Sequence, residues 1–466
     1  MKVVIVGAGL AGLACATEMA EAGHQVEILE KREVWGGKVS SWQDHEGDSI
    51  ESGVHIFFRT YKQLLPFLKR VGVYDNIKWK EHSILLAQPG GHATRLHFPN
   101  LPAPFNGMIA FTNTDLFSWR EKLTNIKGLF GLYIHNLDYI KKLDKYSYAD
   151  WHRQQGMQQG VLDKLWNVIA LSLGFIGAEE VSARPMATVF HYFARDGKAS
   201  LLGFLDTSPA AGIFDPIRRY LENKGVTVRN QAKVQELLLN AAGTVAGLKM
   251  ADGEVITADV YVLAAPIHNT RQMLPDSLRH HVFFDNLWKL KSVPVMNVQL
   301  WYDREISSTD NLFFTAHACF SVFADLHIVS PKAYGQHPGS VMGLVVAPAA
   351  PLWQLSDQEI IARCHQELAV LWPSAAQATV LKGTVVRIPN SIYRETPDSD
   401  AFRPTQKTPV ANLFLAGDYT QQDYMASMEG AVRSGLAAAR EILGANFPAL
   451  ANSAPTTVRG KAAHNS

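Results

Sequence analysis

Residues 1–38 read MKVVIVGAGLAGLACATEMAEAGHQVEILEKREVWGGK and contain the pattern that decides the fold. Residues 3–6 are an unbroken β-branched run, which is typical of a parallel strand buried on both faces. A glycine-rich turn follows, and the Ala-rich residues 13–22 predict a helix. Residues 25–29 predict a second short strand. This order of strand, turn, helix and strand is the opening unit of a nucleotide-binding α/β fold.

Three glycines and one acid in this stretch predict a dinucleotide site. Gly7, Gly9 and Gly12 spell G-x-G-x-x-G. The first lets the chain reverse, the second lets a pyrophosphate touch the backbone, and the third lets helix and strand pack closely. The pyrophosphate would lie at the helix N-terminus, where free N–H groups favour an anion. Glu30 has the spacing of the carboxylate that accepts ribose hydroxyls, which favours a ribose without a 2′-phosphate.

The composition excludes several classes of protein. A chain of 466 residues is too long for one ordinary core, so two or three domains are expected. Its 47% hydrophobic and 19% charged residues exclude a disordered or fibrous chain. A net charge of +1, with no long basic run, argues against nucleic-acid binding.

The cysteines and the N-terminus indicate a reducing compartment and no cleaved leader. Cys15, Cys319 and Cys364 are far apart in sequence and show no C-x-x-C spacing, so neither a disulfide nor a metal site is predicted. Met1 and Lys2 lead directly into a strand, so we expect no signal or transit peptide. We find no run of about 20 apolar residues that could span a bilayer.

The region that begins at Leu101 and ends at Leu137 is dense in large apolar side chains. From Trp119 onward the spacing is helical, and Arg120, Lys122 and Lys127 stand among the apolar positions. A cationic amphipathic helix with aromatic residues is typical of an element that lies in a membrane interface. The same periodicity also fits an internal helix of a second domain, so both interpretations stay open.

The C-terminal region predicts a second approach to the nucleotide. Residues 413–415 read as a buried strand, followed by a turn at Gly417 and Asp418 and by a helix that starts near Met428. Small residues on this helix would allow close packing against the first helix. A second helix N-terminus would then point into the cofactor site.

Three further elements are predicted from local patterns. Residues 39–50 alternate around Gly47 and predict a hairpin, residues 357–371 predict a helix, and residues 384–388 predict a strand.

The glycine pair Gly36 and Gly37 resembles the FAD signature of the amine oxidase and carotenoid desaturase flavoproteins. The resemblance extends to residue 443 and is carried by HIFF at 55–58, ALSLGFIGAEEVSARPM at 170–186 and YRETPDSDAFRPTQKTPVANLFLAGDYTQQDYMASMEGAVRSG at 393–435. On these residues the chain is similar to the plant and cyanobacterial type of carotenoid desaturase, most of all to its zeta-carotene desaturase branch. The phytoene desaturase branch shares LAGDYT, ASMEGA and HIFF.

The resemblance implies an α/β fold in which a Rossmann-like FAD-binding domain of the amine oxidase type carries an inserted α+β substrate domain. The FAD domain would comprise residues 1–79, 212–272 and 405–445, the membrane-facing substrate domain residues 80–211 and 273–404, and a disordered tail residues 446–466.

The resemblance also implies the contacts of the cofactor and the substrate. The expected FAD contacts are Gly7, Gly9, Ala11, Gly12, Glu30, Lys31, Gly36, Gly37, Lys38, His55, Ile56, Val234, Gly417, Asp418 and Met428. Val234 would offer backbone to the adenine, and Asp418 would reach the ribityl or pyrophosphate end. Met428 would present helix N–H groups to the pyrimidine edge of the flavin. Ala426 and Arg59 are expected at the substrate.

The implied reaction is FAD-dependent desaturation of a linear carotene, above all zeta-carotene to neurosporene or lycopene. A hydride would pass to flavin N5, a proton would be lost, and a membrane quinone, plastoquinone in a thylakoid, would reoxidise the flavin. We find a single dinucleotide fingerprint, which fits an acceptor other than a nicotinamide. His55, Arg184 and Glu429 are candidates for polar roles near the ring, and no catalytic base is assigned.

Several alternatives stay open. Phytoene desaturase is one, although Ala210 and Ala211 stand where that branch carries an arginine. Arg59 follows HIFF where the family usually has glycine, which fits a paralogous polyene desaturase with shifted specificity. A redox-neutral polyene isomerase, a flavin amine oxidase and a non-catalytic flavin-binding module are more distant. The implied location is the cytoplasmic side of a bacterial membrane, thylakoid or plasma membrane in a cyanobacterium. A homo-oligomer is left open.

Overall fold

The computed structural model describes residues 1–81, 83–102, 104–196, 199 and 201–444, so the tail predicted at 446–466 lies outside the described residues. The strands, in chain order, are β1 (Lys2–Val6), β2 (Gln25–Leu29), β3 (Ser41–Gln43), β4 (Ser49–Glu51), β5 (Phe57–Phe58), β6 (Ile77–Glu81), β7 (Ser83–Gln88), β8 (His92–His97), β9 (Leu201–Leu205), β10 (Thr227–Arg229), β11 (Val234–Leu239), β12 (Val245–Met250), β13 (Val255–Ile256), β14 (Val260–Leu263), β15 (Ser292–Tyr302), β16 (Leu312–Phe314), β17 (Phe320–Asp325), β18 (Val341–Val346), β19 (Val380–Tyr393) and β20 (Leu413–Leu415).

The helices follow the same chain order. They are α1 (Leu10–Glu21), α2 (Leu64–Arg70), α3 (Phe105–Thr112), α4 (Trp119–Ile134), α5 (Leu137–Lys141), α6 (Tyr148–Gln154), α7 (Gln159–Val161), α8 (Asn167–Gly174), α9 (Ala183–Phe193), α10 (Asp215–Asn223), α11 (Ile267–Met273), α12 (Asp276–Arg279), α13 (Val282–Lys289), α14 (Leu326–Val329), α15 (Pro331–Tyr334), α16 (Asp357–Leu371), α17 (Pro373–Ala376) and α18 (Met428–Leu443). Within the described ranges, none of these helices combines the length and the apolar character that crossing a bilayer requires.

A five-stranded parallel sheet contains the two strands predicted in residues 1–38, with strand order β10-β2-β1-β14-β20. Val6 pairs with Leu29 on one side and with Leu263 on the other, and Leu263 pairs with Leu415. The carboxyl ends of these four strands are therefore level, at the edge where parallel α/β sheets bind their ligands. The predicted α/β fold class is confirmed.

Helices α1 and α18 pack against each other on one side of this sheet. α1 begins at Leu10, earlier than the predicted helix at residues 13–22, because Gly9 caps it directly after the glycine turn. A Cβ atom added to Gly435 of α18 would lie 2.1 Å from the carbonyl oxygen of Ala11. The two helix backbones therefore touch, and the close packing expected from the small residues of α18 is confirmed.

A seven-stranded sheet forms the second large layer, with strand order β19-β15-β18-β17-β16-β7-β8. One face packs beneath α16, where buried side chains such as Val298 and Leu300 meet Ile360 and Leu368. β19 is longer than the strand predicted at residues 384–388, because it pairs with β15 along nearly its whole length. A shift in this pairing beside Pro389 is typical of a β-bulge.

Smaller sheets connect the two layers. β3 and β4 form the hairpin expected around Gly47, and β5, β9 and β6 form a three-stranded sheet, as do β11, β12 and β13. The Lys382 ammonium lies 2.5–2.6 Å from carboxylate oxygens of Asp44, Glu46 and Asp48 on the hairpin turn. One lysine cation is therefore shared by the three carboxylates and offsets part of their charge.

Glu51 is a buried carboxyl at the junction of the two layers. The hydroxyl of Tyr334 donates to its Oε1 at 2.9 Å. The backbone N–H of Glu51 donates to Gln299 at 2.7 Å, and its carbonyl accepts from Asn297 at 2.8 Å. Burial raises the pKa of Glu51 to about 7, although the bond from Tyr334 lowers it. Above neutral pH this group therefore carries a buried charge.

Replacing Glu51 with Gln is expected to make the protein more stable, increasingly so as the pH rises. In the folded wild type the carboxyl holds its proton up to about pH 7, whereas in the unfolded chain it releases it near 4.5, so wild-type stability falls between these values. The advantage of Glu51→Gln should grow from near zero to about 3 kcal/mol across this window. Urea unfolding at a series of pH values measures it, and a difference that does not change with pH would contradict it.

Candidate functional site

Two adjoining cavities lie at the carboxyl edge of the five-stranded sheet. Their volumes are about 570 Å³ and about 540 Å³. Both are lined by Gly7, Glu30 and Asn269, so they meet at the end of β1 and β2. The smaller one extends to Val234, and the larger one extends to the N-terminus of α18 and to β19. Together they have the two-part shape that a dinucleotide requires.

Bare backbone frames the centre of the larger cavity. Gly7 has a φ of +114°, and a Cβ atom on it would lie 2.8 Å from the carbonyl oxygen of Ala264. A Cβ atom on Gly37 would lie 3.3 Å from the Cα atom of Gly9, so the glycine pair faces the glycine turn. Side chains are thus excluded beside the N-terminus of α1. The predicted pyrophosphate fits here because free N–H groups are accessible without steric hindrance.

Glu30 lies where the two cavities join. Its side chain is buried, its Oε2 accepts the N–H of Ala8 at 2.9 Å, and its Oε1 accepts the N–H of Arg32 at 3.0 Å. Each carboxylate oxygen retains a second lone pair that can accept a hydroxyl. The position and orientation of Glu30 therefore fit the ribose contact predicted for it.

Lys38 and Asp418 form an ion pair in the lining of the larger cavity. The Lys38 ammonium lies 2.7 Å and 3.0 Å from the two carboxylate oxygens of Asp418. Both residues line the cavity beside Gly417. The pair therefore offers a cation for phosphate oxygens and an acceptor for hydroxyl groups within one small region.

His55 lines the same cavity as a neutral ring. Its Nε2 lies 3.2 Å from the carbonyl oxygen of Lys38, so Nε2 carries the proton and donates it. Desolvation lowers the pKa of His55 to about 4, and its enclosed Nδ1 has no partner among the described residues. The hydroxyl of Ser52 donates to the same Lys38 carbonyl at 2.9 Å. His55 is therefore a neutral ring of the cavity lining that helps to hold the backbone of Lys38.

The N-terminus of α18 faces the larger cavity. Ala426, Ser427 and Met428 all line it. The Ser427 hydroxyl caps the helix by accepting the N–H of Gly430 at 3.2 Å. The first N–H groups of a helix lack partners within it, and the helix dipole favours negative charge at this end. This arrangement fits the predicted contact with the flavin pyrimidine edge.

The rest of the larger cavity is mainly apolar, and its polar lining residues include Ser172, His268, Arg387, Asn390 and Ser391. Its described apolar lining consists of Trp42, Val54, Ile56, Phe58, Tyr61, Leu173, Phe175, Val386, Ile388, Tyr424 and Met425, among others. The carboxylates in the described lining are Glu30 and Asp418, which belong to the glycine-framed part. An apolar wall without an acidic group suits a hydrocarbon ligand.

Most of the remaining predicted cofactor residues line the cavities, whereas one of them lies at a contact between helix and strand. Lys31 lines both cavities and donates to Asn269 at 3.3 Å, and Ala11, Gly36 and Ile56 line the larger one. Gly12 lines neither cavity. A Cβ atom on Gly12 would lie 2.0 Å from the carbonyl oxygen of Gly7, which is the close helix–strand contact expected of the third glycine.

The structure does not bring Arg184 and Glu429 to the cavities. The buried Arg184 guanidinium is 2.7 Å from Asp400. The fully buried Glu429 carboxylate accepts the backbone N–H groups of residues 62–64 at 2.7–3.1 Å and the Nε–H of Arg433 at 2.7 Å. Glu429 thus caps the N-terminus of α2. Of the three candidates for polar roles, His55 is the one at the cavity.

Arg59 also lies away from the cavities. Its guanidinium stacks 5.6 Å from the ring centre of Tyr74 and 5.2 Å from that of Trp79. Its neighbour Phe58 lines the larger cavity. Successive residues of an extended strand point to opposite faces, and the Arg59 N–H continues the pairing with β9 at 3.4 Å. Arg59 therefore stabilises the small sheet from its far side.

The sequence patterns did not single out Trp42, Tyr61, His268 or Tyr424, which all line the larger cavity. Tyr424 lies within the stretch 393–435 that carries the family resemblance, Trp42 follows the glycine pair closely, and Tyr61 follows HIFF closely. His268 follows the carboxyl end of β14, where ligand contacts concentrate in parallel sheets. These four residues could therefore have been found in the sequence only by their proximity to a motif or to the end of a strand.

Comparison with named proteins gives close matches along the whole chain. The chain is 41% identical over 476 residues to a Synechococcus elongatus protein named "Probable zeta-carotene desaturase", with 95% of this chain and 98% of that protein covered. It is 40% identical to a zeta-carotene desaturase of Synechocystis, with 95% and 97% covered. It is 38% identical to a 15-cis-phytoene desaturase of Synechococcus elongatus, with 95% and 96% covered.

Solved structures share the fold at low sequence identity. An oxidoreductase from Methanosarcina mazei has a TM-score of 0.73 and 17% identity, covering 96% of this chain and all of that one. Putrescine oxidase with bound putrescine has a TM-score of 0.65 and 18% identity, at similar coverage. Residues 10–443 match the family described as flavin containing amine oxidoreductase. The chain therefore belongs to the flavin-containing amine oxidoreductases, in the group that holds the zeta-carotene and phytoene desaturases.

Proposed function

We propose that this flavin oxidoreductase desaturates a linear carotene, with zeta-carotene as its substrate and neurosporene and lycopene as products. The observation that carries the proposal is the larger cavity, whose glycine-framed part continues into an apolar part with no acidic side chain in its described lining. The names of the relatives support a carotene. Phytoene is the second candidate substrate, because a phytoene desaturase is nearly as similar.

Family membership implies a flavin, and we propose that it is FAD. The smaller cavity beyond Glu30 supports this choice, since it offers a place for an adenine beside Val234. The strands of the five-stranded sheet come from residues 1–79, 212–272 and 405–445, which we propose as the FAD-binding domain. Residues 80–211 and 273–404 would form the substrate domain.

The residues of the larger cavity would hold and orient the reactants. Bound flavin supplies the acceptor for the hydride that the polyene loses. Trp42, Phe58 and Phe175 would hold the hydrocarbon and exclude water. The N-terminus of α18 would stabilise negative charge on the neighbouring ligand edge. Positioning of one C–H bond would supply most of the rate enhancement.

The aromatic residues of the cavity argue against an amine substrate. The rings of Tyr61 and Tyr424 are 5.9 Å apart and inclined at 89°, in edge-to-face contact. They leave no slot between two parallel rings in which an amine could be held. The fold shared with putrescine oxidase therefore does not extend, in our proposal, to amine oxidation.

We further propose that helices α3 and α4 lie on a membrane. Seven large apolar residues here are between 40% and 68% exposed, namely Leu101, Phe105, Met108, Trp119, Leu123, Phe130 and Ile134. The opposite face of α4 buries polar groups. The Lys122 ammonium donates to the Thr112 carbonyl at 2.9 Å, and Asn125 accepts from Trp166 at 3.0 Å. This helix buries Leu129 and Leu132 together with these polar groups, and it still exposes a stripe of large apolar side chains, as an interfacial helix would.

A membrane contact would give the enzyme direct access to its lipid-soluble reactants. We propose that a membrane quinone reoxidises the flavin and that the site of action is the cytoplasmic side of a bacterial membrane, thylakoid or plasma membrane in a cyanobacterium. Exposed Arg120 and Lys127 beside the apolar stripe would favour anionic lipid headgroups.

Coexpression in bacteria that make either phytoene or zeta-carotene tests the substrate. Cells that make zeta-carotene are expected to accumulate neurosporene or lycopene, whereas cells that stop at phytoene are expected to keep it. The pigments can be read by chromatography. Conversion of phytoene would favour the second candidate, and an unchanged pigment in both strains would refute desaturation.

Purified protein in liposomes separates the remaining alternatives. Anaerobic addition of zeta-carotene should bleach the flavin absorption, and added quinone should restore it. A polyene isomerase would instead turn over with no acceptor present. An amine oxidase would release peroxide from amines, and a non-catalytic module would show no bleaching.

A further inference from the structure

The loop between β20 and α18 lines part of the larger cavity, where we propose that FAD binds. Asp418 lies at its start, and Ala426 and Ser427 lie at its end, and all three line the larger cavity. The loop contains no regular secondary structure from which its backbone groups could obtain partners. Its shape must therefore be fixed by side chains from elsewhere.

Arg403 holds the carbonyl groups of this loop. Its side chain is fully buried and lies behind the loop, outside the described lining of either cavity. The guanidinium donates to the carbonyl oxygens of Asp418 at 3.3 Å, Tyr419 at 3.4 Å and Gln422 at 3.2 Å, and also to that of Thr420. A planar guanidinium suits this role because its five N–H groups point in fixed directions.

Glu395 holds an N–H group at the other end of the loop. Its Oε2 accepts the N–H of Ala426 at 3.3 Å, and its Oε1 accepts the hydroxyl of Tyr393 at 2.8 Å. The carboxyl is buried and lies outside the described lining of both cavities. Burial raises its pKa to about 7, while nearby Arg403 and Arg184 lower it. Glu395 thus contacts the residue that directly precedes the N-cap of α18.

We propose that Glu395 and Arg403 are positioning residues for the flavin, which hold the N–H side and the carbonyl side of the loop from Asp418 to Ser427. The inference rests on the proposed binding of FAD in the cavity. Neither side chain would touch the cofactor. Both would act through the backbone that does, by setting where Asp418 and the N-terminus of α18 stand.

The conservative variants distinguish positioning from charge. Gln at 395 retains an oxygen for the Ala426 N–H, and its amide group can donate to Tyr393. Asp at 395 keeps the charge but withdraws the carboxylate from Ala426 by one methylene. Arg403→Lys keeps the positive charge but replaces the planar guanidinium by a single ammonium group. The proposal therefore predicts that Glu395→Gln preserves the loop, while Glu395→Asp and Arg403→Lys loosen it.

Titration of the flavin-free full-length protein with FAD measures the effect. Glu395→Asp and Arg403→Lys are expected to bind FAD about tenfold more weakly than wild type, because backbone groups of the loop lose charge-assisted bonds. Glu395→Gln should stay within about threefold of wild type. The visible spectrum of bound flavin should shift in the weakened variants, and amide hydrogen exchange of residues 418–428 should become faster.

Asp325→Asn is the matched control. Asp325 is a buried carboxyl that accepts the N–H groups of His327 and Val341 at 3.2 Å, and it does not line the described cavities. Its replacement can lower the stability of the protein but should leave FAD affinity and spectrum unchanged.

The outcomes separate this inference from the proposed function. If wild-type protein binds no FAD, the proposed cofactor is wrong. If wild type binds FAD and folded Glu395→Asp and Arg403→Lys bind it equally well with an unchanged spectrum, the positioning roles are refuted. Should either variant fail to fold, Glu395→Gln decides. A tenfold loss of FAD affinity in that variant would show that the charge of Glu395 matters, and it would refute the positioning role.

Discussion

Gly435→Ala is expected to destabilise the protein by about 3 kcal/mol and to lower its flavin content. The added Cβ atom would lie 2.1 Å from the carbonyl oxygen of Ala11 and 3.1 Å from the Cβ atom of Ala14. Because both contacts belong to α1, helices α1 and α18 must move apart. The N-termini of both helices face the cofactor cavity, so the site changes with the packing. Urea unfolding and the ratio of flavin to protein measure the two effects.

Gly131→Ala is the matched control for this change. Gly131 also lies within a helix, α4, and a Cβ atom there would meet nothing within 4 Å. Alanine favours a helix over glycine by up to about 1 kcal/mol, so this variant should be as stable as wild type or slightly more stable. If Gly435→Ala and Gly131→Ala lose equal unfolding free energy, the close contact between α1 and α18 does not cause the destabilisation.

Replacing Trp119, Leu123 and Phe130 together with Gln is expected to weaken binding to lipid vesicles about 100-fold or more. These side chains form the exposed apolar stripe of α4 and make no part of the described cavity lining. The triple variant should therefore keep its FAD affinity and its unfolding midpoint. Sedimentation with vesicles of phosphatidylcholine and phosphatidylglycerol measures binding.

A second triple variant controls for exposed apolar side chains in general. Val282, Val370 and Leu381 are each at least as exposed as Phe130 of the α4 stripe, but they belong to other elements, namely α13, α16 and β19. Their replacement with Gln should leave vesicle binding unchanged. If both triple variants bind like wild type, α3 and α4 are not the membrane contact.

Several elements of the five-stranded sheet and the helices could be predicted closely from sequence. β2 and β20 have the predicted bounds, and α16 also agrees with its predicted range of 357–371. These elements are determined by local patterns, namely β-branched runs, glycine turns and helical periodicity. The boundaries that differed depend on contacts: α1 starts early on the Gly9 cap, and β19 is extended by its pairing with β15.

The candidate site was only partly accessible from sequence. Motif position correctly suggested that Lys38, His55 and Asp418 would come together, although they are far apart in the chain. The same reasoning placed Glu429 near the ring, but its carboxylate points to the N-terminus of α2. It also placed Arg59 at the substrate, whereas alternation along β5 turns Arg59 to Tyr74 and Trp79. A motif locates a backbone, but it does not say which way a side chain points.

The sequence by itself determined the order of strand, glycine turn, helix and strand in residues 1–38 and predicted a dinucleotide site at the start of the helix, because glycine spacing and strand character are local properties. The glycine pair and the long C-terminal stretch then indicated a flavin and a family. Only the tertiary structure decided that the glycine-framed part of the larger cavity continues into a mainly apolar part, that α4 exposes an apolar stripe, and that buried Glu395 and Arg403 lie behind the loop from Asp418 to Ser427. These features arise from contacts between residues remote in sequence, which no local pattern encodes.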